Sequence, residues 1–275
     1  MDFAFSEQGF SYGHTLEHHI ENKKFILHNH VNSHEIFIFL QGDAEFLVEG
    51  TRYPLHPYDI ILAQNSEMHY VHHKDLSVYE RIVINIDNNF FIKHNCEAYK
   101  EIFTNRPLGV NNCISASAAA AYDIPGLLKR MENYLADTED HGTAALGAML
   151  EFLYLLNHIG VKSQKSAFHH EQIKEIILYI NNHLTEPLPL DEIAEHFYMT
   201  KCHLCRIFKK HTGYTVNQYI THKRLILVRE LADSGMSWTE ASEASGFGNY
   251  SNFYKLFCRT YGHSPTHQKN LSIPL

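Results

Sequence analysis

Residues 190–197 read L-D-E-I-A-E-H-F, Tyr198-Met199 breaks the pattern, and residues 200–213 read T-K-C-H-L-C-R-I-F-K-K-H-T-G. The sentence is then repeated: residues 237–245 read S-W-T-E-A-S-E-A-S, Gly246-Phe247 follows, and residues 248–262 read G-N-Y-S-N-F-Y-K-L-F-C-R-T-Y-G. Each copy is a short helix, a tight turn and a longer helix that ends in glycine, because a polar cap opens each helix and glycine tolerates the left-handed turn that closes it. In the second helix of each copy apolar residues fall three and four apart: Leu204, Ile207, Phe208, and then Phe253, Leu256, Phe257. That spacing puts one stripe into a core. The opposite face is small, polar or cationic both times: Cys202, Cys205, Arg206, Lys209, and Ser251, Asn252, Lys255, Arg259. One such hairpin is an ordinary piece of an all-helical domain. Two in tandem, each with a basic outer face, point to DNA.

Charge is distributed in the same sense. The chain has 275 residues and a formal net charge of −8, yet from Lys165 onward Lys+Arg number 12 against 10 Asp+Glu, leaving 11 against 21 in the remainder. A basic carboxy-terminal part on an acidic chain suits a phosphate-contacting module joined to something else. Histidines number 22 against 23 Lys+Arg, so the field around the chain is expected to grow more positive on mild acidification.

The repeat resembles the AraC/XylS transcription regulators. Ile193-Ala194, Thr200, Leu204, Arg206-Ile207-Phe208-Lys209, Gly213, Tyr219, Arg224-Leu225, Leu231, Gly246-Phe247, Phe253, Phe257, Gly262 and Ser264-Pro265 fall at the family's spacing. The resemblance covers about the last hundred residues, and its most specific part is the G-F…F…F…G-x-S-P run of the second copy. Two departures stand out. Ala241-Ser242 replaces the usual Ile-Ala of the second unit, and His267-Gln268 replaces the usual aromatic and Arg. Trp238, one turn before Ala241, can fill the missing volume, and Ser242 can bond back to a carbonyl four residues earlier.

From Lys24 to about Asp87 the chain reads as strands. F-I-L-H, E-I-F-I-F-L, A-E-F-L-V-E, D-I-I-L-A and Y-E-R-I-V-I-N-I are short and rich in β-branched and aromatic residues, divided by turn formers at residues 41–43, 49–51, 56–59 and 65–66. Even spacing of short strands predicts a sandwich or barrel, here a jelly roll. His28-x-His30-x4-Glu35-x6-Gly42, then Pro57-x-Asp59 and His69, resemble the cupin barrel, which is the sensor domain usual in this family. His28 and His30 share one strand face. If that face is inward, they meet Glu35 and His69 in a pocket that binds a small molecule by hydrogen bonds. The same four residues are the candidates for a divalent metal, which suits three imidazoles and a carboxylate, but the pocket wall is preferred and no cofactor is assigned. Tyr58 stands where the turn normally has Gly, and His34 and His73 are expected on the surface.

From Asp123 the period becomes helical, with Leu127, Leu128, Met131, Leu135 and then Leu146, Met149, Leu150, Leu153, Leu156. Such a stripe is core, or, as the resemblance implies, the surface that pairs two subunits. Ala116 to Ala121 reads as a loop or helix start, and residues 160–166 as a polar linker. His170 to Leu184 is an amphipathic helix, and Val216 to Asp233 a single helix capped by Thr215 and followed by Gly235. At about 1.5 Å per residue the latter spans roughly 27 Å, approaching the ~34 Å between successive major-groove faces on one side of B-DNA.

The expected architecture is α+β and multidomain: a cupin-like ligand-sensing β-barrel (jelly roll) over residues 1–100, a helical extension for dimerisation over 101–160, a linker over 161–169, and an all-α DNA-binding domain over 170–271 with helix-turn-helix units at 190–211 and 237–260 joined by a long helix. Carried over by position, Cys202, Cys205 and Arg206 face bases from the first reading helix, and Ser251, Asn252 and Lys255 from the second. Arg206 suits guanine and Asn252 adenine. Lys201, His203, Lys209, Asn249 and Tyr250 hold phosphates. A single C-x-x-C at Cys202 and Cys205 is a weak zinc or redox signal, and small side chains facing bases are the reading adopted.

The expected partners are double-stranded DNA, a small-molecule effector, a second copy of the chain and, for an activator, RNA polymerase. A metal-dependent cupin enzyme and a ligand-independent regulator whose barrel only dimerises are the alternatives. No run of 18 apolar residues occurs, the amino end has no signal pattern, and five cysteines lack framework spacing, so a cytoplasmic protein without a membrane partner is expected.

Overall fold

The computed structural model describes residues 3–18, 33–75, 78–137, 139, 142–160 and 171–266. The chain divides into two compact units, Met1–His170 and Glu171–Leu275. His28, His30, the expected linker 161–169, His267 and Gln268 lie outside the described residues.

The first unit is β-rich. Its described strands are β1 (Phe3–Glu7), β2 (Phe10–Glu17), β3 (Ser33–Gln41), β4 (Ala44–Val48), β5 (Thr51–Pro54), β6 (Ile60–Ala63), β7 (His69–His73), β8 (Tyr79–Asp87) and β9 (Cys113–Ile114). They form a six-stranded sheet in the order β1-β2-β8-β3-β6-β9 and a three-stranded sheet in the order β5-β4-β7, with antiparallel pairing throughout. Among the described residues the sheets remain two separate ladders and do not close into one hydrogen-bonded barrel.

The β1–β2 hairpin precedes the region read as strands. It turns at Gln8-Gly9, both at positive φ (57° and 87°), the backbone that matches strand twist in a two-residue loop. Glu49-Gly50 repeats the arrangement between β4 and β5, at 46° and 77°. At the corner before β6, Tyr58 takes φ 70° where Pro57 precedes it and the Asp59 N–H donates to the His56 carbonyl at 2.9 Å. This turn favours glycine at its third residue; here tyrosine occupies it.

Strand β3 explains the layering. Lying between β6 and β8, it is buried on both faces. Ile36 and Ile38 share a core with Ile60, Leu62, Ile82, Ile84 and Ile86. Phe37 and Phe39 share another with Phe46, Val48, Tyr53 and Ile61, which places the small sheet over this face. The first core also takes in α4 (Ile124–Leu135) and α5 (Thr143–Ile159), which follow α1 (Asn88–Lys93), a 3-10 turn (Glu97–Lys100), α2 (Glu101–Thr104) and α3 (Ala116–Ala120). Leu127, Leu128, Met131, Leu135, Met149, Leu153 and Leu156 are buried in it, so the leucine and methionine stripe covers the sheet of its own subunit. Full burial of each such side chain contributes about 1.5–3 kcal/mol.

Of the two histidines expected on the surface, one is buried and the other partly so. His34 is fully buried, stacked on Phe103 at 4.6 Å and edge-on to Phe91 at 5.9 Å, because strand alternation puts it on the same face as Ile36 and Ile38. His73 is half-buried against Tyr79, with ring centroids 4.4 Å apart.

The second unit is helical: α6 (Glu171–Asn182), α7 (Leu190–His196), α8 (Lys201–Thr212), α9 (Val216–Asp233), α10 (Trp238–Ala244) and α11 (Tyr250–Tyr261). Helix α9 has the predicted bounds, and Thr215 and Gln218 form a capping box at its start. Trp238 packs on Phe253 and Phe257 beside a fully buried Ala241, taking the volume expected of it. Ser242 bonds to the carbonyl of Thr239, 2.8 Å away and three residues back rather than four.

Candidate nucleic-acid interface

Helix α8 begins where Thr200 accepts a hydrogen bond from the His203 amide at 3.2 Å and ends at Gly213, φ 80°. Helix α11 begins where Asn249 accepts from the Asn252 amide at 2.8 Å and ends at Gly262, φ 74°. Buried Leu204 and Phe208, and buried Phe253 and Phe257, anchor one face of each helix and thereby fix which side chains point out. Outward on α8 are Lys201, Cys202, Arg206 and Lys209, with His203 and Cys205 half-buried. Outward on α11 are Ser251, Asn252 and Lys255, with Asn249 exposed at its cap and Tyr250 half-buried. Tyr250, Ser251, Tyr254 and Lys255 line a shallow surface depression. All eleven residues named from the sequence thus belong to the two second helices or the cap of one.

Several of these side chains already have partners. Lys201 donates to Asp191 of α7 at 2.9 Å, which raises its pKa above the usual lysine range. The Arg206 guanidinium meets Nδ1 of His203 at 3.1 Å, an interaction that needs the neutral ring to accept. Asn249 spends its carbonyl oxygen on the cap. None of these pairings is readable from spacing alone, although Arg206 and His203 are one helical turn apart, where side chains can meet.

The two helix-turn-helix units share a common support. On α9, Arg224 donates to the carbonyls of Leu184 at 2.8 Å and Glu186 at 2.6 Å. Gly246, in the second turn, lies against the same segment: a Cβ there would stand 2.8 Å from the Thr185 carbonyl oxygen. Not every cation of this unit faces outward. Lys223 and Arg229 are buried on α9, over the rings of Tyr219 and Tyr261 at 5.5 and 5.4 Å.

In the first unit Glu35 and His69 do come together. They face each other at 3.5 Å with both side chains buried, and Phe46 stacks on the imidazole. Burial would lower the pKa of His69, but Glu35 outweighs it and raises the ring above its ordinary value. Among the described residues, no group of three or more His, Cys, Asp or Glu is placed to hold a metal ion.

The strongest polar cluster of this unit escaped the sequence reading. Arg106 clamps Glu67 with two bonds of 2.7 Å, and Gly109, Gln64 and Asn112 donate to the same carboxylate. Its members lie up to 45 residues from Glu67 in sequence, so no local pattern reveals them.

A helix-turn-helix domain family matches residues 193–270. The HTH-type transcriptional regulator YdiP of Escherichia coli is 24% identical over 253 residues, 87% of this chain and 79% of its own length. The HTH-type transcriptional activator AarP of Providencia stuartii is 31% identical over 109 residues, 39% of this chain and 81% of its own. Among solved structures, the DNA-binding domain of the transcriptional factor AdpA, in complex with a target DNA, is 26% identical and covers 34% of this chain and 85% of that one, at a TM-score of 0.33. Among the described residues no helix is long and apolar enough to cross a membrane.

Proposed function

We propose, from the premise that the chain belongs to the AraC/XylS family of DNA-binding transcription regulators and is not an enzyme, that α8 and α11 read two adjacent major-groove segments on one side of the duplex. The observation that carries this reading is the pair of outward faces on α8 and α11, the helices that precede and follow α9 as the second members of the two units. Each holds a cation suited to bases or phosphates and small or amide side chains that allow close approach. Cys202, Cys205, Arg206, Ser251, Asn252 and Lys255 are assigned to base edges, and Lys201, His203, Lys209, Asn249 and Tyr250 to the backbone.

The two sheets of the first unit are read as an opened cupin-like jelly roll, and the space around Glu35 and His69 as the place where a small-molecule effector binds. A second copy of the chain pairing through the first unit, RNA polymerase if the protein activates, and a cytoplasmic setting complete the reading. An effector acts by favouring one of two presentations of the reading helices, to the extent that it binds that state more tightly.

The test uses the full chain. After selection of a preferred duplex from a random pool, the two contacted segments are moved apart by half a helical turn. A loss of about tenfold or more is expected, since one rigid linking helix cannot follow. Equal affinity at both spacings would sink the two-groove reading. For the effector, melting shifts against a metabolite panel should identify a ligand whose shift is lost in Glu35→Gln while DNA binding is kept.

A further inference from the structure

Three of the five cysteines lie on the two second helices: Cys202 and Cys205 on α8, Cys258 on α11. Cys202 is exposed and Cys205 half-exposed, whereas Cys96 and Cys113 are buried in the first unit. Cys202 and Cys205 are one turn apart on the outward face that also carries Arg206, so oxidant and DNA would approach them from the same side. Side chains three apart on a helix have Cβ atoms about 5–6 Å apart, and a disulfide needs about 3.5–4.5 Å. The bond therefore requires the first turn of α8 to tighten.

That turn can do so. Its first three amides have no carbonyl partner within the helix, and it is held by the Thr200 cap, whose side chain accepts from the His203 amide at 3.2 Å and whose carbonyl accepts from the Leu204 amide at 3.0 Å, and by the Lys201–Asp191 pair at 2.9 Å. Lys201 directly precedes Cys202 and Arg206 directly follows Cys205 in the chain. Either sulfur, as the thiolate, can start disulfide exchange.

We propose that Cys202 and Cys205 form a dithiol–disulfide switch on the DNA-reading face, reduced when the protein binds its site and oxidised by low-molecular-weight disulfides. The inference rests on α8 being a reading helix. One thiolate attacks a sulfur of the reagent R-S-S-R, forming a mixed disulfide and releasing one thiolate, which takes up a proton to become R-SH. The second thiolate then attacks the protein sulfur of that mixed disulfide and releases the second R-SH. The protein loses two protons and two electrons, and the reagent is reduced to two thiols. The resulting disulfide distorts the start of α8 and ties together two side chains assigned to bases, so base readout fails while the lysines still hold phosphates.

The experiment compares full-length protein, treated with oxidised glutathione or with dithiothreitol, on its selected duplex and on random duplex. The expected result is a loss of about tenfold or more on the selected duplex only, the order of one good base contact, with a mass lower by two hydrogens and full recovery on reduction. The Cys202→Ser/Cys205→Ser double variant should abolish the response, each single variant should stop at the mixed disulfide with no loss of two hydrogens, and Cys258→Ser should retain the parent's response. Unchanged affinity in protein shown by mass to carry the Cys202–Cys205 bond overturns the proposal, as does a response that survives in the Cys202→Ser/Cys205→Ser double variant. Arg206→Ala separates the two readings: if it binds the selected duplex like the parent, α8 is not the reader, whatever the cysteines do. An oxidised protein with mixed disulfides but no internal bond also overturns it.

Discussion

Tyr198 and Gly246 occupy the same step of the two helix-turn-helix units, one residue past the cap of the first helix, with φ of 54° and 81°. Only the second has the residue that this backbone favours. Tyr198 is 99% exposed, so its side chain repays none of the left-handed strain through packing. Tyr198→Gly should stabilise the second unit by about 0.5–1 kcal/mol, the left-handed penalty less the added chain entropy of glycine. Gly246→Ala should cost about 2 kcal/mol or more, because the new Cβ meets the Thr185 carbonyl at 2.8 Å as well as the backbone strain. Trp238, the single tryptophan of the chain, lies in this unit, and its fluorescence in urea reports both changes.

In the first unit the Glu67–Arg106 clamp is expected to dominate single-residue losses. The side chains are 0% and 3% exposed, and removing either partner strands the other. Arg106→Met should cost about 3–5 kcal/mol, with the double variant Glu67→Gln/Arg106→Met recovering part of it. Burial alone would raise the Glu67 carboxyl, but Arg106 and the donated amides outweigh it and hold its pKa below the ordinary carboxylate value of 4.5. The clamp's stability is therefore complete above about pH 4.5 and lost as pH falls through the lower folded value. Calorimetry of the two single variants and the double variant would reveal whether the cycle closes at zero coupling, the outcome that contradicts this account.

The helical half was readable because its evidence is local. Leu204 and Phe208, or Phe253 and Phe257, announce their face by spacing alone, and Thr215 and Gly235 bracket α9. Less was readable where partners are distant or burial overrides residue type. The β1–β2 hairpin was missed because Phe3–Glu7 and Phe10–Glu17 mix aromatic residues with Ser, Gly and His, and only pairing with β8 organises them. Charge counting overstated the reading surface, since Lys223 and Arg229 serve α9 and its aromatic neighbours. A histidine count likewise overstates the charge gained on acidification. His34 and His222 are both pushed down to about 4, chiefly by burial.

Those two histidines make acid stability a measurable property of each unit. A ring kept neutral in the folded state but protonated in the unfolded chain favours unfolding as pH falls. The stability is complete above about 6.5 and drains away down to about 4, a total of about 3 kcal/mol per ring at about 1.4 kcal/mol per pH unit. His69, raised by Glu35, works in the opposite sense in the first unit. Among the described residues neither ring nitrogen of His34 makes a close hydrogen bond, so His34→Phe removes both the titration and two buried polar atoms. Melting of the first unit should then depend less on pH between 6.5 and 4 and rise at the acid end; an unaltered slope would show that other groups set it.

The Arg206–His203 contact, 3.1 Å, joins a side chain proposed to read a base and one proposed to hold a phosphate. Arg206→Ala should weaken binding to the selected duplex by about 1–3 kcal/mol and relax preference at one base pair, since a bidentate guanine contact is lost. Lys209→Ala should weaken selected and random duplex alike and reduce the salt slope by about one, because one phosphate counterion fewer is released. His203 was assigned to a phosphate from sequence, but its Nδ1 faces Arg206 at 3.1 Å. If it positions the guanidinium, His203→Ala should lower discrimination without changing the salt slope, and its effect should vanish in the Arg206→Ala background. His203→Lys should not restore it, since an ammonium cannot accept the bond. A reduced salt slope in His203→Ala, additive with Arg206→Ala, would return His203 to the phosphates.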